Sequence, residues 1–356
     1  MHVPQIQHVQ QLRERLRGLG AGAGHEERVL RRWAQAQAQD GGRRRLEDFM
    51  PQPLRLALPA LVAELAGLAR LVSEHPGEDG SARLLVALAD GQTVEAVRLP
   101  RDGLCVSSQV GCAVGCVFCM TGLGGLVRQM GSAEIVAQVV LARATAPQRR
   151  VKKVVFMGMG EPAHNLDAVL EAIELLGTAG GIGHKNLVFS TVGDPRAFER
   201  LLALQPGQVR PALAVSLHST QAARRAELLP RAPRMDPEDL VEASERYARA
   251  TGYPIQYQWT LIEGVNDSAQ EIEGIVALLS GKYALMNMIP YNAVDGLTWK
   301  RPSWERAAEI ARTLHRRGIL TKLRQSAGQD VDGGCGQLRA RAAAPSRRIA
   351  IHPVTG

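Results

Sequence analysis

The chain carries two kinds of hydrophobic spacing, and it changes from one to the other near Leu104. Over residues 1 to about 75, apolar residues recur every three or four positions, as in "IQHVQQLRERLRGL" and "LPALVAELAGLARLV". That is the period of helices with one buried face. Between them "DGGRRRLEDFMP" reads as a basic turn or helix start. In "ARLLVALADGQTVEAVRLP" two apolar runs flank Asp90-Gly91, a pair favoured at the turn of a hairpin. From Leu104 onward short apolar runs ("LCVSS", "KVVFMG", "LVFSTV", "ALAVSL", "QYQWTLI", "ALMNMIP", "LTKLRQS") alternate with helical stretches. The clearest of these are "SAEIVAQVVLARA", "NLDAVLEAIELLG", "DPEDLVEASERYARA", "DSAQEIEGIVALLS" and "SWERAAEIARTLHRRG". Asp236, Asp267, Ser268 and Ser303 are predicted helix caps.

This alternation predicts an α/β fold of parallel strands joined by right-handed crossovers. Six such units are too few for a closed eight-unit barrel, so a partial barrel or an open sheet is expected. In either, ligands gather at the C-terminal ends of the strands. Gly158 to Pro162, His218 and Asn292 fall there.

The chain has 356 residues, 45% hydrophobic and 22% charged, an ordinary globular composition. A formal net charge of +8 makes an anionic partner plausible, although arginine excess also follows from GC-rich codons. The start "MHVPQIQHVQQLRERLRG" has no apolar signal-peptide core, and no apolar run approaches a membrane span. A cytoplasmic, reducing setting without membrane contact is expected.

The cysteines change the picture most. Cys112, Cys116 and Cys119 lie in "SSQVGCAVGCVFCMTG" with the spacing C-x3-C-x2-C. Three thiolates on a short loop can hold three irons of a [4Fe–4S] cube and leave the fourth iron without a protein ligand. Structural zinc wants four ligands, commonly two separated pairs, and no second pair exists; zinc or a fortuitous cluster stays the alternative. The open iron suits the amine and carboxylate of S-adenosylmethionine (SAM), whose reductive cleavage releases a 5′-deoxyadenosyl radical. The loop, with Phe118 before its last cysteine, resembles the radical-SAM signature. "GMGEP" then adds Glu161 at a strand end, where a carboxylate can pair with the methionyl ammonium. Cys105 and the glycine-flanked, flexible-looking Cys335 are surplus to a cluster; an inert buried thiol is the plainer reading of a lone cysteine, and the flanking glycines argue against it for Cys335.

From about Val94 to Leu338 the sequence resembles the radical-SAM RNA adenosine methyltransferases, the RlmN/Cfr family. The motifs are "CVSSQVGCAVGCVFC", "GMGEP", "STVG", "SLHS", "GVNDS", "PYN" and "CGQL". The resemblance implies a partial (β/α)6-type radical-SAM barrel with a small helical N-terminal domain. It divides the chain into residues 1–78, helical and a candidate for RNA binding; 79–100, a β-hairpin extension; 101–345, catalytic; and 346–356, a tail.

It implies methylation of an adenine ring carbon, C2 in preference to C8, in ribosomal or transfer RNA. Two SAM are used per turnover: one methylates Cys335, and a second supplies the radical that activates the S-methyl group. Cys105 matches the cysteine that attacks the Cys335 sulfur and releases product through a transient disulfide. Glu95 matches the base that takes the ring proton, against the plainer reading of a solvated hairpin carboxylate. The implied SAM contacts are Gly160, Glu161, Ser190, Ser216, Leu217, His218 and Asn292. Expected partners are the RNA and an electron donor such as flavodoxin or ferredoxin, with the protein a monomer.

Two departures from the family stand out. Gly333 and Gly334 replace alanines, which should loosen the Cys335 loop. The first 75 residues match poorly, and their arginines (Arg13, Arg15, Arg17, Arg31, Arg32, Arg43, Arg44, Arg45) either grip phosphates or form a solvated face. The competing readings are a radical-SAM enzyme for a small molecule, which leaves Cys105 and Cys335 idle, and a non-catalytic metal-stabilised RNA-binding protein.

Overall fold

The computed structural model describes residues 6–42, 45–148, 150–293 and 296–340. It begins with three helices, α1 (Val9–Gly18), α2 (Ala23–Ala34) and α3 (Gln52–Gly67). Each buries a stripe at helical spacing: Val9, Leu12 and Leu16 on α1, Val29, Leu30 and Trp33 on α2, and Leu54, Leu58, Leu61 and Leu65 on α3. The helical expectation fails beyond Gly67. Ala69–Pro76 form strand β1, with side chains alternately covered and exposed along its outer half. A strand wins there because β2 (Ala82–Leu88) offers a paired neighbour, in register from Ala69 opposite Leu88. The spacing of "LARLV" alone fits either element. β2 and β3 (Thr93–Leu99) make the expected hairpin, with Gly91 at φ 87° in the turn.

β3 pairs antiparallel with β4 (Gly103–Cys105), and β4 opens the parallel part of the sheet. The parallel strands follow in chain order: β7 (Lys153–Phe156), β8 (Leu187–Thr191), β9 (Ala212–Ser216), β10 (Ile255–Leu261), β11 (Ala284–Pro290) and β12 (Thr321–Leu323). A separate ribbon, β5 (Gln109–Gly111) with β6 (Leu126–Gln129), brackets the cysteine loop and the short α4 (Met120–Leu123). The crossovers are α5 (Ser132–Thr145), α6 (Leu166–Gly177), α7 (Pro195–Leu202), α8 (Ala222–Leu228) with α9 (Pro237–Thr251), α10 (Ala269–Leu279) and α11 (Trp304–Arg316). This is the partial barrel of six β/α units, its first and last parallel strands unpaired with each other.

Ser268 and Ser303 cap α10 and α11 by accepting the N–H of Glu271 and Arg306. Asp236 takes the cap position of α9 without a side-chain bond. Asp267 is not a cap: its carboxylate accepts the Gly264 N–H within the preceding turn.

The N-terminal helices are stitched to the barrel. The Val9 N–H donates to Ser132 Oγ (2.8 Å), and the Ala133 N–H donates to Gln7 O (3.0 Å). A Cβ on Gly131 would stand 2.0 Å from Gln7 O, so the junction requires glycine. Of the arginines proposed for phosphates, Arg13 and Arg17 pair with Glu26, Arg15 with Glu64, Arg31 with Glu27 and Arg45 with Glu47. Arg32 donates to Ala38 O. Arg43 and Arg44 lie outside the described residues.

Candidate active site

The strand register decides which side chains share the barrel interior. The Tyr257 hydroxyl bonds Ser244 on α9, so Tyr257 faces the helices and its neighbours Gln256 and Gln258 face inward. Ser216 and Asn287 stand opposite Gln258, and Lys322 stands opposite Asn287. Ser190 is opposite Ala214, two residues before Ser216. Cys105 is opposite Val97 on one side and Val155 on the other. Glu95, two residues before Val97, shares that face.

The three-cysteine loop is shaped by glycines. Gly111 has φ 82°, and a Cβ there would lie 2.0 Å from Gly125 O. The Cys112 N–H donates to that same carbonyl (2.9 Å), and the Cys119 N–H donates to Cys116 O (3.0 Å). Burial pushes the Cys112 thiol up to about 12. Burial first, and then the nearby Cys119 and Cys112, raise Cys116 well above the usual thiol value. The raised Cys112 and Cys116 thiols, each affected by the other or by Cys119, become thiolates together only when a cation binds them. Among the described residues no group of three His, Cys, Asp or Glu side chains could hold one metal ion. A [4Fe–4S] cube gives each thiolate a separate iron, so the two observations are compatible.

The expected SAM residues ring the same end of the barrel. Gly160, at φ 107°, follows β7, and a Cβ there would meet Gln109 Cβ at 2.7 Å. Glu161 is buried; its oxygens accept the Ala163 and Val192 N–H groups (3.0 Å each), and burial raises its pKa to about 7. Leu217 is fully buried. His218 adopts φ 60°, its Nδ1 accepts the Thr260 N–H (3.0 Å), and burial holds its pKa near 3. Its ring meets Phe118 edge-on at 4.9 Å, which ties the cysteine loop to the end of β9. Asn292 Nδ2 donates to Ser326 Oγ and to Cys335 O, while Asn292 Oδ1 is buried without a partner. Arg225 Nε is likewise orphaned, and that guanidinium lies within electrostatic reach of Cys116. Buried polar atoms without partners beside a thiol cradle fit a polar cofactor that completes them.

Asn266 in "GVNDS" has a task that its residue type does not disclose. Asn266 Nδ2 donates to His218 O (2.7 Å) and Thr260 O (2.8 Å), and Asn266 Oδ1 accepts the Ile262 N–H (2.8 Å). It thereby fixes the turn that carries His218.

The strap from Gly328 to Arg339 carries Cys335 across this interior. It is pinned rather than loose. Arg83 Nε donates to Val331 O (2.6 Å), Arg83 also pairs with Glu95, and the other Glu95 oxygen accepts the Arg339 N–H (2.8 Å). From the other side the Met120 N–H donates to Gly336 O (2.8 Å), and Thr121 Oγ1 donates to Leu338 O (2.6 Å). Gly333 and Gly334 are buried, and a Cβ on Gly334 would lie 2.5 Å from Gln337 Oε1. Here the glycines permit close packing, so the expected loosening is absent. Glu95 is 1% exposed, which removes the solvated-hairpin reading.

Cys335 is open to the interior yet ringed by enough protein for desolvation to raise its pKa. Cys105 is buried and pushed up to about 12, first by burial and then by the nearby Cys335. The two surplus cysteines therefore lie within electrostatic reach of each other, and all five cysteines are free thiols.

The Radical SAM superfamily profile matches residues 106–279. A probable RNA methyltransferase of Leptothrix cholodnii is 74% identical over 344 residues, covering 96% of this chain and 97% of that protein. One of Thiobacillus denitrificans is 66% identical over 344 residues, covering 97% and 93%. The crystal structure of a radical SAM methyltransferase from Sphaerobacter thermophilus superimposes with a TM-score of 0.80 at 34% identity, covering 96% of this chain and all of that one. The chain belongs to the radical SAM superfamily and, within it, to the RlmN/Cfr family of RNA methyltransferases that its motifs resemble.

Proposed function

We propose that the protein methylates an adenine ring carbon in ribosomal or transfer RNA through a methyl group carried on Cys335. The observation that carries this reading is that the strap bearing Cys335 is hydrogen-bonded to the cysteine loop, through the Met120 N–H and Gly336 O, and brings Cys335 within electrostatic reach of Cys105. Radical SAM proteins use a [4Fe–4S] cluster and SAM; when bound, they supply the electron, the radical and the methyl group. Cys112, Cys116 and Cys119 hold the cluster. Gly160, Glu161, Ser190, Ser216, Leu217, His218 and Asn292 hold SAM, two molecules per turnover. Asn292 also positions Cys335 through its carbonyl.

Cys335 sulfur takes the methyl group and later bonds the base through that carbon. Glu95 accepts the ring proton at the oxygen that otherwise holds the Arg339 N–H. Cys105, kept protonated at rest by burial, then attacks the Cys335 sulfur, and the S–C bond to the base breaks as the S–S bond forms. The proton that Cys105 gives up completes the methyl group on the departing carbon. The electron left over from the radical addition passes to the electron-transfer partner, and the reductant later returns the disulfide to two thiols. A protonated resting Cys105 also guards against that disulfide forming before the base is in place.

The boundaries 1–78, 79–100, 101–345 and 346–356, a monomeric state, a cytoplasmic setting and a flavodoxin or ferredoxin as reductant belong to the same proposal. Among the described residues no helix is long and apolar enough to cross a membrane.

The test is the Cys105→Ala variant purified from cells that contain the RNA. It should carry nuclease-trimmable RNA on Cys335, and Cys105→Ala/Cys335→Ala should carry none. An RNA-free Cys105→Ala protein, or unmethylated Cys335 in active wild type, would overturn the mechanism in favour of a small-molecule substrate. Mass-spectrometric mapping of methyladenosine in RNA from a deletion strain separates C2 from C8.

A further inference from the structure

Three cations on the parallel sheet and at its edge, Lys153 half-buried and Lys322 and Arg324 exposed, are unused by the reading above. Lys153 begins β7 two residues before Val155, on the face that holds Cys105. Lys322 stands opposite Asn287, and Arg324 lies two residues on, its N–H donating to Met288 O (2.8 Å) so that the ladder continues through it. The curl of the sheet brings these strands together. Desolvation, and then the charges of Arg324 and Lys322, pull the Lys153 ammonium below its usual pKa. Among the described residues none of the three is paired with a carboxylate. Asn287 beside them is 2% exposed, and its Nδ2 donor has no partner. Arg324 also lies within electrostatic reach of Cys335.

Like charges held together beside a bare donor repel one another, and a bound anion offsets that repulsion. Which anion is decided by place. The SAM motifs sit at the C-terminal ends of the strands, whereas Lys153 is the first residue of β7. Lys322 and Arg324 are solvent-exposed at the edge strand β12, and Arg324 is the one of the three within electrostatic reach of Cys335. A long polyanion that delivers one base to Cys335 can lay its backbone there.

We propose that Lys153, Lys322 and Arg324, with Asn287, form a phosphate site at the open edge of the barrel. It grips the backbone of the RNA strand whose base reaches Cys335, and so it rests on the RNA reading above.

The experiment uses cluster-loaded, full-length protein and a fluorescein-labelled single-stranded RNA 12-mer, with Kd measured over a salt series. Lys322→Met/Arg324→Met, at two exposed positions, keeps folding out of the question; Lys153→Met is added as a third change. Each lost phosphate contact should flatten the slope of log Kd against log salt by roughly 0.7. The double variant should bind about tenfold more weakly at low salt. With the RNA of a deletion strain as substrate, KM should rise while kcat holds, and Lys322→Arg should bind as wild type does. An unchanged salt slope and KM in the triple variant, with wild type active on RNA, overturns the phosphate site alone. A wild type that methylates no RNA overturns the functional reading itself. Displacement of the 12-mer by inorganic phosphate at equal concentration assigns the site to a free anion and also defeats the proposal.

Discussion

The Arg83–Glu95 pair offers a test whose size follows from burial. The side chains are 6% and 1% exposed, and the pair holds both flanks of the Cys335 strap, at Val331 and at Arg339. Arg83→Met keeps the length of the side chain and removes its charge. It leaves the buried Glu95 side chain without its ion-pair partner, a change of about 3–5 kcal/mol for a buried pair. The lost bond to Val331 O adds to this, though not additively, since the groups share one network. If the loss is local, 3 kcal/mol corresponds to roughly a hundredfold change in an opening equilibrium. Amide hydrogen exchange read on peptides spanning 331–339 should therefore speed up about a hundredfold. Arg83→Met/Glu95→Met replaces both charges with apolar groups, and should recover much of the protection, because apolar replacement of a whole buried pair is often neutral or better. Unchanged exchange across 331–339 in Arg83→Met would refute the reasoning, because a pair that did not hold the strap could be lost without the strap noticing.

Three further outcomes are expected. Replacing Cys112, Cys116 and Cys119 together with alanine should abolish the brown chromophore and bound iron; a full iron complement in that variant would sink the ligand assignment. His218 titrates near 3 in the folded state against about 6.5 unfolded, so below pH 6.5 the unfolded chain binds the extra proton. Stability should fall on acidification from pH 6.5 toward 3, by up to about 1.4 kcal/mol per pH unit from this group, and denaturation midpoints of His218→Gln at pH 7 and pH 5 should show a shallower fall. Gly158→Ala would set a Cβ 2.7 Å from Val106 O and 2.8 Å from Ser107 Oγ; it should destabilise by about 1–3 kcal/mol, and a wild-type melting temperature would contradict the packing of this strand end.

The sequence was most legible where local pattern and tertiary environment ask for the same thing. The parallel strands are covered on their outer face by helices, so "KVVF", "ALAV" and "QYQWTL" stand out as strands. α7 and α8 passed unread because each is two turns long, though Asp194 before Pro195 is a cap followed by a helix-starting proline. β1 was read as helix because its partner strand, not its own spacing, decides its state. The cysteine loop and the SAM motifs were legible because their chemistry is written in consecutive residues. The strap clamp was not, since Arg83 and Glu95 reach carbonyl and amide groups 248 and 244 residues away. Main-chain partners leave no trace in residue type. The cation trio was invisible for a related reason: it exists only once the sheet curls.

The strap also sets an order of assembly. Its holding points, Arg83, Glu95, Met120 and Thr121, belong to the first half of the chain, while residues 328–340 are the last described segment to be synthesised. Until that segment docks, the Met120 N–H, the Thr121 hydroxyl and the buried Arg83–Glu95 pair lack these partners, so the cysteine loop cannot reach its final packing ahead of the segment that carries Cys335.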